Sequence, residues 1–399
     1  MPLGLRTAAG RLIRRLGILP GGVADGIGED DQLTDVVLTS RVAVFFPDPP
    51  ENIYQLRQWY APFEALHDEL GVTILVQDSR TAAIVRRETR IPVLAAARTR
   101  TVGALLSDGA VRLVLYVGQA NANASGLRVP DVLHVFLNHG DSDKFVSVSN
   151  QVKAFDRCFV AGRAAVDRHA DGLMLYDAEE RLRIVGRPQL PAATTPTGPF
   201  TVLYAPTWEG TMAVNAYSSV LGYGAQLVEA LLADGDVNVI YRPHPRTGKS
   251  DSRFKAADAH IREVLTRHGD RARVDLDPDP SSSFARANVM IADVSAIAVD
   301  WLGQRRPLVS TVPVDPKARI ASPARLFATT PHIDAATAGD AAAIARAAAT
   351  DGTAEASVRE LAEYYIGGLD AQAATAAFIA ACEEAIADCE RERKRLGLA

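Results

Sequence analysis

The chain has 399 residues, of which 48% are hydrophobic and 23% charged, and its formal net charge is −5. This composition is typical of a globular protein of two or three domains, and the negative charge argues against nucleic acid as a partner. The three cysteines (Cys158, Cys382 and Cys389) form no CxxC pair. That spacing argues against a disulfide framework and a structural zinc site and favours a reducing, cytoplasmic location.

The N-terminal residues have an amphipathic pattern if the range Leu5 to Leu16 is helical. One face then carries Leu5, Ala9, Leu12, Ile13 and Leu16, and the opposite face carries Arg11, Arg14 and Arg15 with Arg6 at its flank. This pattern favours an interfacial helix, and these arginines supply roughly 4 kcal/mol near an anionic membrane, enough for reversible attachment only. A helix packed on its own domain, or a loose tail, explains the pattern equally well. No apolar run approaches the ~18 residues needed to cross a bilayer.

The first half of the chain alternates strand-like apolar runs with helical patterns. Strands are predicted at Val36–Phe46, Val72–Val76, Arg112–Val117, Val132–Leu137 and Arg157–Ala161, with helices at Asn52–Leu70 and Thr81–Glu88. This βαβ order predicts a parallel, doubly wound sheet. The stretch Gly186–Pro199 is rich in Pro, Thr and Ala and has no apolar period, so it is predicted to be a linker.

After the linker the same alternation begins again. Strands are predicted at Thr201–Ala205, Val237–Tyr241, Val289–Ala292 and Pro307–Ser310, and helices at Tyr217–Ala233, Phe254–His268 and Ser295–Gly303. We therefore predict an α/β protein with an N-terminal segment (1–30), two Rossmann-like domains (31–190 and 197–330) and a helical C-terminal tail (331–399). The two sheets should face each other across a cleft, with ligands beyond the carboxyl ends of the strands.

A histidine between two prolines, in Arg242-Pro243-His244-Pro245, follows the predicted strand Val237–Tyr241. Each proline fixes its own φ, and Pro245 also moves His244 out of the α region, so the imidazole is held by a stiff backbone. At the carboxyl end of a strand this predicts a functional histidine, although a turn that merely ends the strand is the structural alternative. The downstream Gly248-Lys249-Ser250 is not a P-loop, because Pro243 stands where that motif requires glycine.

Three further loops follow predicted strands. The first follows the strand Val132–Leu137, and a neutral His139 there is suited to accept a proton from an attacking hydroxyl. In the same loop Gly140 allows a substrate to approach the backbone closely, and Lys144 is suited to bind a phosphate. In the second, Thr207 and Trp208 are suited to form a pocket floor. A structural His-Gly turn and a packing tryptophan are the alternatives.

The last loop runs from Asp293 to Asp300. Ser295 is a good N-cap, and a helix that starts there offers free backbone N–H groups to a phosphate. Asp300, further along the helix, is suited to hydrogen-bond a ribose or a polyol, and an ordinary capped helix is the alternative. The sequence contains no HExxH, GxSxG or clustered Cys/His pattern, so neither a metal site nor acyl-enzyme chemistry is predicted.

Taken together and in order, these loops resemble the CDP-glycerol glycerophosphotransferase family of teichoic-acid synthesis. The motifs that carry the resemblance are His139-Gly140 followed by Lys144, Tyr204-Ala205-Pro206-Thr207-Trp208, Arg242-Pro243-His244-Pro245, and Asp293-Val294-Ser295 followed by Asp300. They span residues 138 to 300. The family has the GT-B fold, two Rossmann-like domains around a cleft, which agrees with the alternation described above.

The resemblance implies transfer of a polyol phosphate, with glycerol phosphate as first choice, from a CDP-polyol to an acceptor hydroxyl with release of CMP. The reaction would serve cell-wall or capsular glycopolymer synthesis and would need no cofactor. His139 would be the general base, and His244 would contact the donor phosphates with Arg242. Ser295 and the backbone after it would hold the pyrophosphate, and Asp293 and Asp300 would shape the donor site.

The resemblance also implies a lipid-linked or glycopolymer acceptor and a cytoplasmic protein that is peripheral on the cytoplasmic face of the membrane. The chain departs from the family pattern at three positions: Glu209 replaces a common arginine, Ala296 replaces a second serine, and Asn138 replaces a frequent aromatic residue. Two alternatives stay open. One is a GT-B glycosyltransferase that uses a nucleotide sugar, and the other is a catalytically silent relative that acts as a binding protein.

Overall fold

The computed structural model describes residues 23–138, 140–352, 354–368 and 370–398. The predicted amphipathic helix at Leu5–Leu16 and the candidate base His139 therefore lie outside the described residues. Among the helices that are described, none is long and apolar enough to span a bilayer.

The first domain is built on a parallel sheet of seven strands in the order β3-β2-β1-β4-β5-β6-β7. Its strands are β1 (Val42–Phe46), β2 (Val72–Val76), β3 (Val93–Ala95), β4 (Leu113–Tyr116), β5 (Leu133–Phe136), β6 (Arg157–Val160) and β7 (Leu182–Ile184). Its helices are α1 (Tyr54–Arg57), α2 (Tyr60–Leu70), α3 (Ser79–Glu88), α4 (Thr99–Ser107), α5 (Ala124–Leu127), α6 (Arg163–Gly172) and α7 (Ala178–Arg181). The strand order reverses between β1 and β4, which places a crevice at the carboxyl ends of these central strands.

The second domain is a parallel sheet of six strands in the order β10-β9-β8-β11-β12-β13. Its strands are β8 (Thr201–Ala205), β9 (Asn238–Tyr241), β10 (Ala272–Val274), β11 (Val289–Ala292), β12 (Leu308–Thr311) and β13 (His332–Ile333). Its helices are α8 (Ala225–Ala233), α9 (Ser252–Thr266), α10 (Ser281–Arg286), α11 (Ala296–Trp301) and α12 (Arg325–Thr329).

Both sheets are buried on their two faces, as parallel sheets require. In β1, Val42, Val44 and Phe46 pack into one hydrophobic cluster, while the alternate residues Ala43 and Phe45 pack into another. The same alternation divides β8 between two clusters on opposite sides of the second sheet. Continuous apolar runs therefore form the central strands, because each successive side chain meets a different helical layer.

The C-terminal tail consists of α13 (Ala341–Thr350), α14 (Ala354–Ile366) and α15 (Ala371–Leu396). Helix α13 packs on the second sheet. Tyr365 of α14 shares a cluster with Ala164 of the first domain and Trp301 of the second. Phe378 of α15 returns to the first domain, where its ring lies 5.4 Å from that of Trp59. The tail thus packs across both domains.

The predicted fold class, two doubly wound α/β domains with a helical tail, is confirmed. The helix predicted at Tyr217–Ala233 is shorter than expected: a π-helical segment occupies Val220–Gly224 and α8 begins at Ala225. Ser219 precedes this segment, and its backbone N–H donates to the carboxylate of Asp293 at 3.3 Å. This acceptor is a distant side chain and not a carbonyl of a preceding helical turn. The first strand begins at Val42 instead of Val36.

Candidate active site between the two sheets

The loops that follow strands β5 and β11 meet between the domains. A Cβ atom built on Gly140 would lie 2.6 Å from the Cβ of Ala296, the first residue of α11, so only glycine fits in this arrangement. Asn138, on the other side of position 139, has a left-handed φ of 59°, a conformation that asparagine tolerates better than an aromatic residue. Its carbonyl oxygen accepts a hydrogen bond of 2.8 Å from the Trp59 indole.

Arg187 and Asp300 join the domains beside this contact. The Arg187 guanidinium donates to both carboxylate oxygens of Asp300, at 2.7 and 3.2 Å, and its side chain is almost fully buried. Such a two-point pair fixes orientation as well as distance. The carboxylate that was expected to bind a ribose or polyol is therefore held by an arginine of the other domain.

Lys144 reaches from the first domain into the second. Its ammonium donates to the Thr207 hydroxyl at 2.7 Å, and its backbone forms an antiparallel bridge with Ile320. Burial lowers the pKa of Lys144 to about 8, and the nearby carboxylate of Asp293 opposes that shift. Lys144 is thus a charged link across the cleft whose proton is held less firmly than that of a surface lysine.

The imidazole of His244 lies between the two domains. Its ring centre is 6.0 Å from that of Tyr54 in the first domain and 6.4 Å from that of Trp208 in the second. Its Nδ1 accepts a hydrogen bond of 3.1 Å from the backbone N–H of Arg246. A ring nitrogen that accepts carries no proton, so the neutral ring has its proton on Nε2. Nε2 is then a hydrogen-bond donor.

Glu209, one of the departures from the family pattern, organises the loop that follows His244. Its buried carboxylate accepts the backbone N–H groups of Gly248, Ser250 and Asp251 at 3.0, 2.8 and 3.2 Å. The Gly-Lys-Ser turn therefore does point its amides at an anion, but that anion is an internal side chain. The Arg246 guanidinium lies over the Trp208 ring, 4.1 Å from the ring centre.

Asp293 is an internal anchor, only 1% exposed. Its carboxylate accepts the backbone N–H of Thr207 at 2.7 Å and the hydroxyl of Thr311. Burial raises the pKa of Asp293, and these hydrogen bonds oppose the shift. The residue fixes the Thr207 loop from behind and so shapes the site indirectly.

The side chains of Ser295 and Arg242 form other contacts than expected. Ser295 stands at the N-cap position of α11, but its hydroxyl donates to the Asp293 carbonyl at 2.9 Å and makes no capping bond, so the expected side-chain cap is wrong. The Arg242 guanidinium donates to Asp275 at 2.7 Å and to the Pro278 carbonyl at 3.2 Å. Arg242 thereby braces the loop after β10.

A buried ion-pair cluster next to Gly140 was not predicted. Arg168 of α6, 1% exposed, donates to Asp143 at 2.9 Å and to Asp141. The Tyr365 hydroxyl of α14 donates to the other oxygen of Asp143 at 2.6 Å. Burial raises the pKa of Asp143 to about 6 and Arg168 opposes the shift. The spacing Asp141-x-Asp143 is the signal present in the sequence; nothing there indicates Arg168 as the partner.

Residues 170–315 match the family described as CDP-glycerol:poly(glycerophosphate) glycerophosphotransferase. The predicted family resemblance is confirmed. The match includes Thr207, His244, Asp293 and Asp300, and therefore covers the second domain's side of the cleft. The matched part of the chain is therefore similar to CDP-glycerol glycerophosphotransferases. No curated protein has a sequence that matches this chain.

Solved structures with the same fold share little sequence with this chain. A glycosyltransferase from Rickettsia africae has a TM-score of 0.55 at 10% identity, covering 87% of this chain and 99% of its own. HepE from Anabaena, in complex with UDP-glucose, has a TM-score of 0.53 at 12% identity, covering 86% and 99%. A variant of the wall teichoic acid polymerase TagF has a TM-score of 0.53 at 13% identity, covering 96% and 95%. At these identities the likeness shows the fold, which is of the GT-B type.

Proposed function

We propose that the protein transfers a polyol phosphate, glycerol phosphate in the first instance, from a CDP-polyol to an acceptor hydroxyl and releases CMP. The observation that carries this proposal is the family match over residues 170–315, which contains the loops at Thr207, His244 and Ser295. The TagF structures include one that was soaked with CDPG, and their fold is the fold of this chain. These facts favour a CDP-linked donor on the second domain's side of the cleft.

The proposed reaction is an in-line displacement at the phosphorus that carries the polyol. The acceptor oxygen forms a bond to this phosphorus, and the bond from the phosphorus to the oxygen shared with the cytidylyl phosphate breaks. CMP leaves with that electron pair. His139 takes the proton of the acceptor hydroxyl, and the Nε2–H of His244 donates to the departing phosphate as its charge grows.

The cleft contacts support this division of roles. Gly140, the residue after His139 in the chain, abuts the start of α11 at Ala296, on the domain that carries His244. Lys144 adds a positive charge at Thr207, where phosphate oxygens of a donor would be neutralised. In this proposal Asp293 and Asp300 act indirectly, since Asp293 holds the Thr207 loop and Asp300 holds Arg187.

The proposal is tested by CMP release from several CDP-polyols in the presence of a lipid-linked acceptor. We expect CDP-glycerol to support turnover, and His139→Ala and His244→Ala to reduce it by about 10²- to 10⁴-fold, as loss of acid–base catalysis does. His260→Ala, at an exposed histidine of α9, is the matched control and should leave turnover unchanged. Absence of CMP above background with every donor would reject the proposal. A silent binding protein would instead show His139→Ala and His244→Ala variants that still complement a deletion strain.

A second candidate is a glycosyltransferase that uses a nucleotide sugar. The observation in its favour is the shared fold with HepE, whose structure contains UDP-glucose. Calorimetric titration of the chain with CDP-glycerol, a CMP-sugar and a UDP-sugar separates the two, because the proposed function requires CDP-glycerol to bind most tightly.

We further propose that the acceptor is lipid-linked or a glycopolymer of the cell wall or capsule, and that the protein works at the cytoplasmic face of the membrane. The name of the matched family includes poly(glycerophosphate), which favours a polymer acceptor, and the arginine-rich pattern at Leu5–Leu16 favours the membrane contact. Flotation with anionic vesicles tests it: residues 1–22 should be required for binding, and their deletion should leave CMP release from a soluble acceptor intact.

A further inference from the structure

A small cavity lies in the first domain at the carboxyl ends of β5 and β6. Asn138 and Gly140 line it on one side, and residues at the carboxyl ends of β5 and β6, such as Phe136 and Phe159, form an apolar floor. Its volume is about 40 Å³, room for about three water-sized groups. It can therefore receive the end of a chain but not a nucleotide.

Two polar side chains in the cavity wall have buried atoms without hydrogen-bond partners among the described residues. Neither the amide oxygen nor the amide nitrogen of Gln189 is bonded, and the same is true of one carboxylate oxygen of Asp141. Buried polar atoms in folded proteins are nearly always satisfied. Partners for these atoms are therefore expected to come from a molecule that occupies the cavity.

His169 also lines the cavity, and its protonation can be derived from its contacts. Its Nδ1 lies 2.7 Å from the carbonyl oxygen of Ala165, which can only accept, so Nδ1 carries the proton. Burial lowers the pKa of His169, so the ring stays neutral and Nε2 is left as an acceptor.

The described polar wall therefore presents more acceptors than donors. Its cation, Arg187, is already paired with both oxygens of Asp300, and the hydroxyl of Ser147 is bonded to Ser142 at 3.0 Å. A terminal phosphate ester offers mainly acceptors at neutral pH, and its negative charge would be repelled by Asp141. A hydroxyl group both donates and accepts, and matches the Asp141 oxygen, the His169 nitrogen and the Gln189 amide.

We propose that this cavity is a binding site for the hydroxyl-bearing end of a neutral polyol unit, and that Gln189 is its specificity-determining residue. The inference rests on the proposed function, in which that end belongs to the acceptor. Because Asn138 and Gly140 form part of the wall, a hydroxymethyl group in the cavity places the acceptor's terminal unit next to position 139. The site would thus select acceptors that end in a polyol over acceptors that end in a phosphate.

A kinetic experiment tests the role of Gln189. CMP release is measured with CDP-glycerol and a soluble alkyl phosphoglycerol whose free end is a diol. Gln189→Leu, which keeps the size of the side chain and removes both hydrogen-bonding atoms, should raise the KM for the acceptor about tenfold. The KM for CDP-glycerol should not change. Gln372→Leu, at an exposed glutamine of α15, is the control. An unchanged acceptor KM, or an equal rise in the donor KM, would overturn the proposal.

A binding experiment separates failure of the cavity from failure of the proposed function. Saturation-transfer NMR with glycerol as the probe should give at least threefold more saturation in the wild-type protein than in Gln189→Leu or His169→Phe, with all three melting cooperatively. Inorganic phosphate should not displace the glycerol. If CMP is never released but this difference is found, the function is wrong and the cavity stands. Equal saturation in all three proteins, or displacement by phosphate, rejects the cavity.

Discussion

The loops that follow β8 and β9 in the second domain are held by carboxylates of that same domain. In the first domain, residues Gly140–Lys144 also form contacts with the second domain. Asp293 and Glu209 accept backbone N–H groups at the ends of β8 and after β9. The carbonyl of Asp143, by contrast, accepts the backbone N–H of Ala321 in the other domain, and Lys144 bonds Thr207.

This difference indicates that the two sides of the cleft depend differently on how the domains meet. The loops that Asp293 and Glu209 hold are organised within the second domain, so they should keep their shape when the first domain is disturbed. The first domain's turn should lose its shape when either the Arg168 cluster (Asp141, Asp143, Arg168 and Tyr365) or the domain contact is changed. The family match covers the internally organised side.

The largest effect is expected at Arg168. Replacing it in Arg168→Met leaves Asp141 and Asp143 without their buried cation, and breaking a buried pair in this way costs about 3–5 kcal/mol. Urea unfolding followed by fluorescence measures the loss. Arg98→Met removes an exposed pair with Asp31, whose side chains are 63% and 85% exposed, and should cost about 1 kcal/mol or less. Equal losses in the two variants would contradict the role given to the cluster.

Glu209→Ala should have the next largest effect and should act on the other side. Three backbone N–H groups lose their acceptor, which we expect to lower the free energy of unfolding by about 2–3 kcal/mol. Hydrogen exchange should accelerate at residues 248–251 while protection at 140–144 stays the same. Glu209→Gln, whose amide oxygen still accepts, should lie between wild type and Glu209→Ala. Unchanged protection at 248–251 would show that the carboxylate does not organise this loop.

How well the sequence predicts this architecture depends on the length of each strand or helix. It also depends on how far apart two contacting residues lie along the chain. The five-residue strands β2 and β8, each apolar at four positions, were predicted at their observed bounds. The strands Val93–Ala95 and Ala272–Val274 were missed, because three residues are too few for a pattern to appear. Helix α4 was missed as well, since it has only nine residues and Gly103 lies in its middle.

The candidate site shows the same limit more sharply. The loops at strand ends could be identified, since turn residues and strand periodicity are local. Their partners could not: Arg187 is 113 positions from Asp300, and Glu209 is 39 to 42 positions from the amides that it accepts. A carboxylate in the sequence looks the same whether it binds a ligand or an internal amide. The positions of Asp293 and Asp300 were therefore predicted as functional, while the contacts that they make were found only in the structure.

A smaller effect, specific to the domain contact, is expected at Gly140. A methyl group in Gly140→Ala meets the Cβ of Ala296 at 2.6 Å, and such overpacking costs about 1–3 kcal/mol. The matched test is the double variant Gly140→Ala with Ala296→Gly, which transfers the methyl group across the interface and should recover most of the loss. Unfolding free energies of the single and double variants decide the matter. Additive losses would mean that the two residues do not oppose each other.

The last effect, and the one that bears on both sides at once, is the pH dependence of the Lys144 link. Its pKa is lowered to about 8 in the folded protein, whereas an unfolded lysine keeps its ordinary value near 10.4. Between these values the unfolded state binds more protons than the folded state, so this residue makes the free energy of unfolding rise with pH from about 8 to about 10. Lys144→Met should remove that rise, while Lys153→Met, at an exposed lysine, should keep it. Because the carboxylate of Asp293 opposes the lowering of the Lys144 pKa, Asp293→Asn should make the same rise larger and should make it begin at a lower pH. A rise that survives Lys144→Met would assign the titration to another group and leave the link across the cleft without its proton-dependent character.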